Sequence, residues 1–73
     1  MMTMEECLQP KNTGWLVYHL ERNFIAILTN EKWVGLSTLP FITIIRRDGT
    51  SYGAAPEYLT VLKPGTRFSL MDR

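Results

Sequence analysis

Cysteine is nearly missing from this chain, since Cys7 is the only one among 73 residues. A single thiol cannot form an intramolecular disulfide, which excludes a disulfide-stapled secreted scaffold. One cysteine and one histidine, His19, are also too few to close a structural zinc site. Cys7 lies shortly before Pro10, near the end of a short predicted helix, a poor position for an activated nucleophile. We therefore interpret Cys7 as a core thiol and His19 as a strand-edge histidine.

Long apolar runs are missing as well. No run approaches the ~18 apolar residues of a membrane span, and the polar start MMTMEECLQPK lacks the features of a signal peptide. The five glycines never form a phosphate-binding loop, and the adjacent carboxylates Glu5 and Glu6 point to different faces of the predicted helix. We predict a complete small cytoplasmic protein that is not an enzyme, with no catalytic residues, no cofactor, no metal and no membrane association.

Charge is scarce and nearly balanced. Charged residues make up 21% of the chain, and eight basic against seven acidic side chains give a formal net charge of +1. Proteins that hold phosphate backbones usually carry a strong basic excess, so this composition disfavours nucleic acid as the main partner. Apolar residues reach 45%, including two Trp, three Tyr and three Phe, which is typical of an ordered domain.

The amino-terminal residues 1–10 predict a short helical arm. Thr3 and Glu6 have the spacing of a capping box, in which each side chain accepts a hydrogen bond from the backbone of the other. Met4, Cys7 and Leu8 would then share one face of the helix. Pro10 ends the helix, and the following KNTG predicts a loop.

From Trp15 onward the pattern is typical of β-structure. The segments WLVYHL and NFIAILT are rich in branched and aromatic residues, and TNEK predicts a turn centred on Asn30 and Glu31 before a further strand, KWVGLS. Both faces of FIAIL are apolar, which predicts a central strand covered on both sides. Pro56–Tyr58 favours one helical turn before a strand, although helix and strand both remain open for residues 56–62. TRFSL predicts a last strand.

The segment FITIIRRDGTSYGAA predicts a β-hairpin, because Asp-Gly suits a type I′ turn. A two-residue loop would give the following pairs: Ile45 with Tyr52, Arg46 with Ser51, and Arg47 with Thr50. A three-residue loop, Arg47-Asp48-Gly49, is the alternative and places Arg47 in the turn itself. In both registers the adjacent arginines do not form one dibasic patch, since successive strand residues point to opposite faces.

Five to six short strands, with turns every 8–12 residues, predict an all-β domain with a short amino-terminal helix. We expect residues 1–73 to form a single small SH3-like antiparallel barrel. A hydrophobic core this small stabilises a fold only marginally, so the stability of this domain depends on good packing, on a partner or on self-association.

Protein binding is the class of function that these exclusions leave. Apolar residues lie on both faces of several strands, and apolar surface that stays exposed usually marks an interface. We predict a non-catalytic module that modulates or inhibits another protein by occupying its surface. Many phage and viral accessory proteins of this size act in this way. Aromatic and arginine side chains dominate interface energetics, so we predict these contact residues: Trp33, Tyr52, Arg46 and Arg67.

Two alternatives stay open. The first is a small β-barrel that binds nucleic acid by aromatic stacking beside basic side chains, which would be Arg46, Arg47, Lys63 and Arg67. The second is a homo-oligomeric structural subunit.

Overall fold

The computed structural model describes residues 1–35 and 40–63, and these form mainly β-structure. Five strands build one antiparallel sheet in the order β4-β3-β2-β1-β5. The strands are β1 (Leu16–His19), β2 (Phe24–Lys32), β3 (Ile42–Arg46), β4 (Ser51–Ala54) and β5 (Leu59–Lys63). The prediction of a mainly β fold with little helix is confirmed. β4 and β5 are the two edges of the sheet, and within the described residues no hydrogen-bonded ladder joins them into a closed barrel.

The amino-terminal arm contains a short helix, α1 (Met4–Cys7), and begins as the sequence predicts. The Thr3 hydroxyl accepts a hydrogen bond from the Glu6 N–H at 3.1 Å, and a Glu6 carboxylate oxygen accepts one from the Thr3 N–H at 2.9 Å. The capping box is therefore complete. The Met2 N–H donates to the Leu59 carbonyl at 3.0 Å, which ties the arm to the first residue of β5.

The hydrophobic core lies on one face of the sheet, called here the inner face. Strand residues alternate between faces, and the pairs in register place every second residue of each strand on this side. Met2 and Cys7 pack against it from the amino-terminal arm. The buried strand residues of the core are Val17, Ala26, Leu28, Ile42, Ile44, Ala54 and Leu59.

β2 is the middle strand of the sheet, as its apolar sequence predicts. The prediction that both of its faces are covered holds at Ile27, which is buried on the opposite, outer face, and fails at Ile25. Ile25 on that face is 46% exposed, whereas Leu28 on the inner face is 1% exposed. Cross-strand neighbours explain why Ile27 is buried nonetheless, since it pairs with Leu16 on one side and with Ile45 on the other.

The predicted turn at Asn30 is instead an irregularity inside β2. The strand continues through residues 24–32, and its register with β3 shifts between Leu28 and Lys32. Asn30 has a φ of 60° there. Asparagine tolerates this left-handed conformation in bulges as readily as in turns, so the local signal is the same. Of the predicted strand KWVGLS, Lys32 is the last residue of β2, residues 33–35 are not part of a strand, and residues 36–37 lie outside the described residues.

The β3–β4 hairpin has the three-residue loop. Ile45 pairs with Ser51, not with Tyr52 as a two-residue loop would require, and Arg46 lies opposite Thr50. The Gly49 N–H donates to the Arg46 carbonyl at 2.9 Å, and Gly49 has a φ of 91°. Glycine supplies that positive φ without strain, so the chain takes a type I turn followed by a left-handed residue. Arg47 therefore belongs to the loop.

Two short 3₁₀ turns lie outside the strands. Pro10–Asn12 forms a short 3₁₀ turn that overlaps the start of the predicted loop KNTG, and Pro56–Tyr58 forms another directly before β5, as predicted. The predicted last strand, TRFSL, lies outside the described residues. In the part of the chain that the structure describes, no helix is long and apolar enough to cross a membrane.

Candidate functional site

β4 is an edge strand whose outward backbone groups have no partner among the described strands. The Arg46 N–H donates to the Thr50 carbonyl at 2.8 Å, so Thr50 directs its polar groups toward β3. Along an antiparallel pair, residues whose backbone groups point toward the neighbouring strand alternate with residues whose backbone groups point away. The N–H and C=O groups of Tyr52 and Ala54 therefore also point toward β3. Ser51 and Gly53 direct their N–H and C=O groups the other way. We call these outward groups the β4 edge.

Trp33 covers the outer side of the β4 edge. Its indole packs directly on the backbone of Gly53, where an added Cβ would lie only 2.4 Å from Trp33 Cγ. The backbone N–H of Trp33 donates a hydrogen bond to the Phe41 carbonyl at 2.9 Å, which holds this part of the chain beside the start of β3. Glycine is required at position 53 because any side chain would occupy the place of the indole.

Aromatic rings cover the inner side of the β4 edge. Tyr52 meets Phe24 at right angles, with ring centroids 5.2 Å apart, and meets the His19 imidazole in the same way at 5.7 Å. Tyr58 stacks on His19 from the 3₁₀ turn before β5, at 5.8 Å. We call these four rings the aromatic cluster. Arg46 extends it, because its guanidinium carbon lies 5.0 Å from the centre of the Phe24 ring.

His19 lies at the centre of the aromatic cluster and is 2% exposed. Its Nδ1 accepts a hydrogen bond from the Arg22 N–H at 3.0 Å, in the turn between β1 and β2. Burial lowers the pKa of His19 below its ordinary value; the Glu21 carboxylate opposes this shift, and the positive charge of Arg22 adds to it. The neutral imidazole is therefore the form that the fold favours.

The stability of the fold should depend on pH through His19. Because the folded-state pKa is lowered, the unfolded chain binds a proton more readily than the folded protein does. We expect the free energy of unfolding to be highest above the ordinary pKa of 6.5, and to fall as the pH drops through it. Urea denaturation between about pH 7.5 and about pH 5 measures this loss.

The control for this pH dependence is His19→Gln, which keeps an acceptor for the Arg22 N–H and removes the titrating ring. Asp48 does not interfere, since the hydrogen bonds from Thr50 lower its pKa below the ordinary value of 3.8. The same loss of stability in the variant as in the wild type would show that His19 is not the cause.

A cavity of about 240 Å³ lies beside β4. Residues 52–55 all line it, although neighbouring residues point to opposite faces of the sheet. The cavity therefore follows the edge of the strand and does not lie over one face. His19, Arg22 and Tyr58 line its other side.

Three of the four predicted contact residues surround the β4 edge. Trp33 covers its outer side, Tyr52 belongs to β4 and points to the inner side, and Arg46 lies opposite Thr50 at the end nearest the hairpin loop. Arg67 lies outside the described residues. The sequence placed Trp33 and Tyr52 on separate segments, and the sheet brings both to one strand.

The residues of the nucleic-acid alternative are more widely spread. Arg46 ends β3, and Arg47 is exposed in the hairpin loop. Lys63 is the last residue of β5, and β2 and β1 lie between β3 and β5 in the sheet. Arg67 is again outside the described residues.

His19 and Tyr58 are the site residues that sequence reasoning missed. His19 is the last residue of β1, and its burial, which the sequence did not predict, comes from the aromatic cluster that encloses the ring. The cluster arises from the pairing of His19 with Leu59, a register between residues 40 positions apart that no local pattern encodes. The aromatic content of the sequence is the one available signal.

The other residue considered for chemistry, Cys7, is confirmed as a core thiol. It is fully buried, and burial together with the Glu6 carboxylate raises its pKa to about 11. Cys7 is therefore protonated at neutral pH and is not a nucleophile. Among the described residues, no group of three or more metal-ligating side chains comes together.

Comparisons with protein family models, with curated proteins and with solved structures found no match to this chain.

Proposed function

We propose that this protein is a non-catalytic protein-binding module that modulates its partner by covering part of the partner's surface. The binding site is the β4 edge, to which an extended segment of the partner adds as a further strand. The observation that carries this proposal is the position of Trp33 and Tyr52, which flank the outward backbone groups of Ser51 and Gly53 on opposite sides.

Strand addition suits this edge for two reasons. Main-chain hydrogen bonds supply affinity in such complexes, and side-chain contacts on either side of the strand supply specificity. Natural proteins usually protect an edge with lysine, proline or a bulge, and β4 (Ser51–Ala54) contains none of these. By contrast, the amino-terminal arm covers the start of β5 through the bond from Met2 to Leu59.

Ser51→Pro tests the proposal. Proline removes only the outward N–H at this position, so pairing with β3 is kept while an added strand loses a hydrogen bond. Affinity capture from the source organism is performed with three proteins: wild type, Ser51→Pro, and the matched control Ser51→Thr, which keeps the N–H. We expect one partner to be retained by wild type and Ser51→Thr, and retention to fall at least about tenfold for Ser51→Pro.

Four outcomes would contradict the proposal. Equal capture by all three proteins would place the interface elsewhere. A monomeric protein that retains no partner would count against protein binding altogether. Salt-sensitive binding of single-stranded nucleic acid in a retardation assay, lost in Arg46→Ala, would favour the nucleic-acid alternative, and a closed oligomer by mass would favour the structural subunit.

We further propose that the fold is SH3-like. Strands β1 to β4 follow one another as a meander, a single 3₁₀ turn (Pro56–Tyr58) comes next, and β5 returns to pair with β1. The shift of register within β2 supports the bend that such a fold requires. An experimental structure of the whole chain with a flat sheet would contradict this proposal.

A further inference from the structure

We propose that another cavity, between the amino-terminal arm and the start of β1, binds a primary carboxamide group through Asn12 Oδ1 and the Nε1–H of Trp15. The cavity has a volume of about 370 Å³, within the ~300–1,000 Å³ of small-molecule sites. It shares no lining residue with the cavity beside β4, so this inference does not rest on the proposed function. The lining residues are Glu5, Glu6, Gln9, Lys11, Asn12 and Trp15.

Two buried polar atoms in the lining of this cavity lack a hydrogen-bond partner. Over residues 1–35 and 40–63, the buried side-chain atoms in this condition are Asn12 Oδ1 and Trp15 Nε1. The first is an acceptor and the second is a donor. An unpaired buried group costs free energy, and a ligand that pairs with it recovers this cost. A ligand of this cavity therefore offers one donor and one acceptor.

The Asn12 side chain is held in one orientation. Asn12 is 3% exposed, and its Nδ2–H donates to the Glu6 carbonyl at 2.7 Å. Its backbone N–H donates to the Gln9 carbonyl at 2.9 Å. A backbone carbonyl can only accept, so the bond to Glu6 identifies the side-chain nitrogen and leaves Oδ1 as the unpaired atom.

Trp15 is fixed by its neighbours in the same way. Its backbone N–H donates to the Asn12 carbonyl at 3.2 Å, and its carbonyl accepts a hydrogen bond from the Leu28 N–H at 3.0 Å. The side chain packs against the hydrophobic core. Donor and acceptor therefore both lie on ordered segments, and little conformational entropy is lost when a ligand pairs with them.

A ligand reaches the two atoms when side chains of the cavity wall move. Neither Asn12 Oδ1 nor Trp15 Nε1 is open to solvent. Gln9 and Lys11 line the same cavity, are exposed and have long side chains with several rotatable bonds. These two side chains can change rotamer at little cost, because exposed side chains do so within nanoseconds.

A primary carboxamide matches the unpaired atoms better than a charged group does. Its oxygen accepts from Trp15 Nε1–H, and its NH₂ group donates to Asn12 Oδ1. A carboxylate can only accept, and the lining holds two carboxylates, Glu5 and Glu6, against the one ammonium of Lys11. An ammonium group can only donate, so it would leave the indole N–H unpaired. A hydroxyl offers both functions on one oxygen, whereas the carboxamide offers them on two atoms, as the cavity does.

Four ligands of similar size test this assignment: propionamide, sodium propionate, propylammonium chloride and 1-propanol. Each is added at millimolar concentration and constant ionic strength to isotope-labelled wild-type protein. NMR follows the indole N–H signal of Trp15, which is assigned as the one indole signal of a Trp33→Phe protein. We expect a saturable downfield shift with propionamide, and binding at least about tenfold weaker for the other three ligands.

Trp15→Phe removes the donor and keeps an aromatic ring at this position. The side-chain NH₂ signals of Asn12 then report binding, and we expect propionamide to bind this variant at least about tenfold more weakly. Urea denaturation shows whether the variant is folded. If it is not, the comparison of the four ligands on the wild-type protein decides.

Three results would overturn the proposal. The first is the absence of a Trp15 shift with propionamide, and the second is an equal shift with all four ligands. The third is magnetisation exchange between the Trp15 indole and a long-lived water that propionamide does not displace, because a buried water would then pair the two atoms. If propionamide binds, N-acetyl-glutamine methylamide distinguishes the source of the group: tighter binding indicates a glutamine side chain of a partner, and weaker binding a small molecule.

Discussion

Gly53→Ala is expected to lower the free energy of unfolding by about 2–3 kcal/mol and to displace the Trp33 indole from β4. The new Cβ would lie 2.4 Å from Trp33 Cγ and 2.6 Å from Cδ1. Gly53 is held in register with Thr43, so its backbone cannot retreat without breaking the β3–β4 pairing. The indole must therefore move, and it loses its contact with the sheet.

A double-mutant cycle isolates the clash. In a Trp33→Ala background the indole is absent, and the second change, Gly53→Ala, should be neutral or stabilising by up to about 1 kcal/mol, because alanine is less costly to order in a strand than glycine. Urea denaturation gives the free energies. The emission of Trp33, recorded in a Trp15→Phe protein, should shift to longer wavelength on Gly53→Ala. A similar loss in both backgrounds would show that contact with Trp33 is not what requires glycine.

Leu28→Ala should lower the free energy of unfolding by about 3–4 kcal/mol. Leu28 is 1% exposed and belongs to the core on the inner face of β2. A chain of this length has a total stability of roughly 4–11 kcal/mol, so the variant would lie close to the limit of folding. Urea denaturation of Leu28→Ala, with Ile25→Ala as the matched control, measures the effect.

Ile25 provides the control because it lies on the same strand and faces the opposite side. It is 46% exposed, so Ile25→Ala should cost no more than about 1 kcal/mol. Were β2 covered on both faces, as its apolar sequence indicates, the two substitutions would be similarly costly. Comparable losses would therefore contradict the one-sided core.

Features set by neighbouring residues were predicted well from the sequence. The capping box needs only Thr3 and Glu6, which are three positions apart, and its hydrogen bonds are all present. The 3₁₀ turn at Pro56–Tyr58 follows from the fixed φ of proline. For the hairpin, Asp48 and Gly49 fixed the position of the reversal but not the loop length, since both loop types use a residue of positive φ.

Features set by distant pairing could not be predicted in the same way. Asn30 adopts one conformation that fits both a turn and a bulge, and the choice depends on how β2 pairs with β3. The sequence does not show the burial of His19, because its neighbours Phe24, Tyr52 and Tyr58 come from three other elements. The aromatic chemistry of Trp33 and Tyr52 predicts contact residues, and only the sheet brings the two to one edge.

The β4 edge and its cavity are assembled from five separate parts of the chain: His19 with the turn after β1, Trp33, Phe41, β4, and the 3₁₀ turn with Tyr58. An unfolded chain holds none of these parts together, so a ligand of the edge binds the folded state alone. Binding is thereby linked to folding, and a ligand at 100 times its Kd would add about 2.7 kcal/mol to the stability of the protein. For a domain whose free energy of unfolding is this small, that gain is large. A rise in melting temperature would therefore reveal a partner before any interface is mapped.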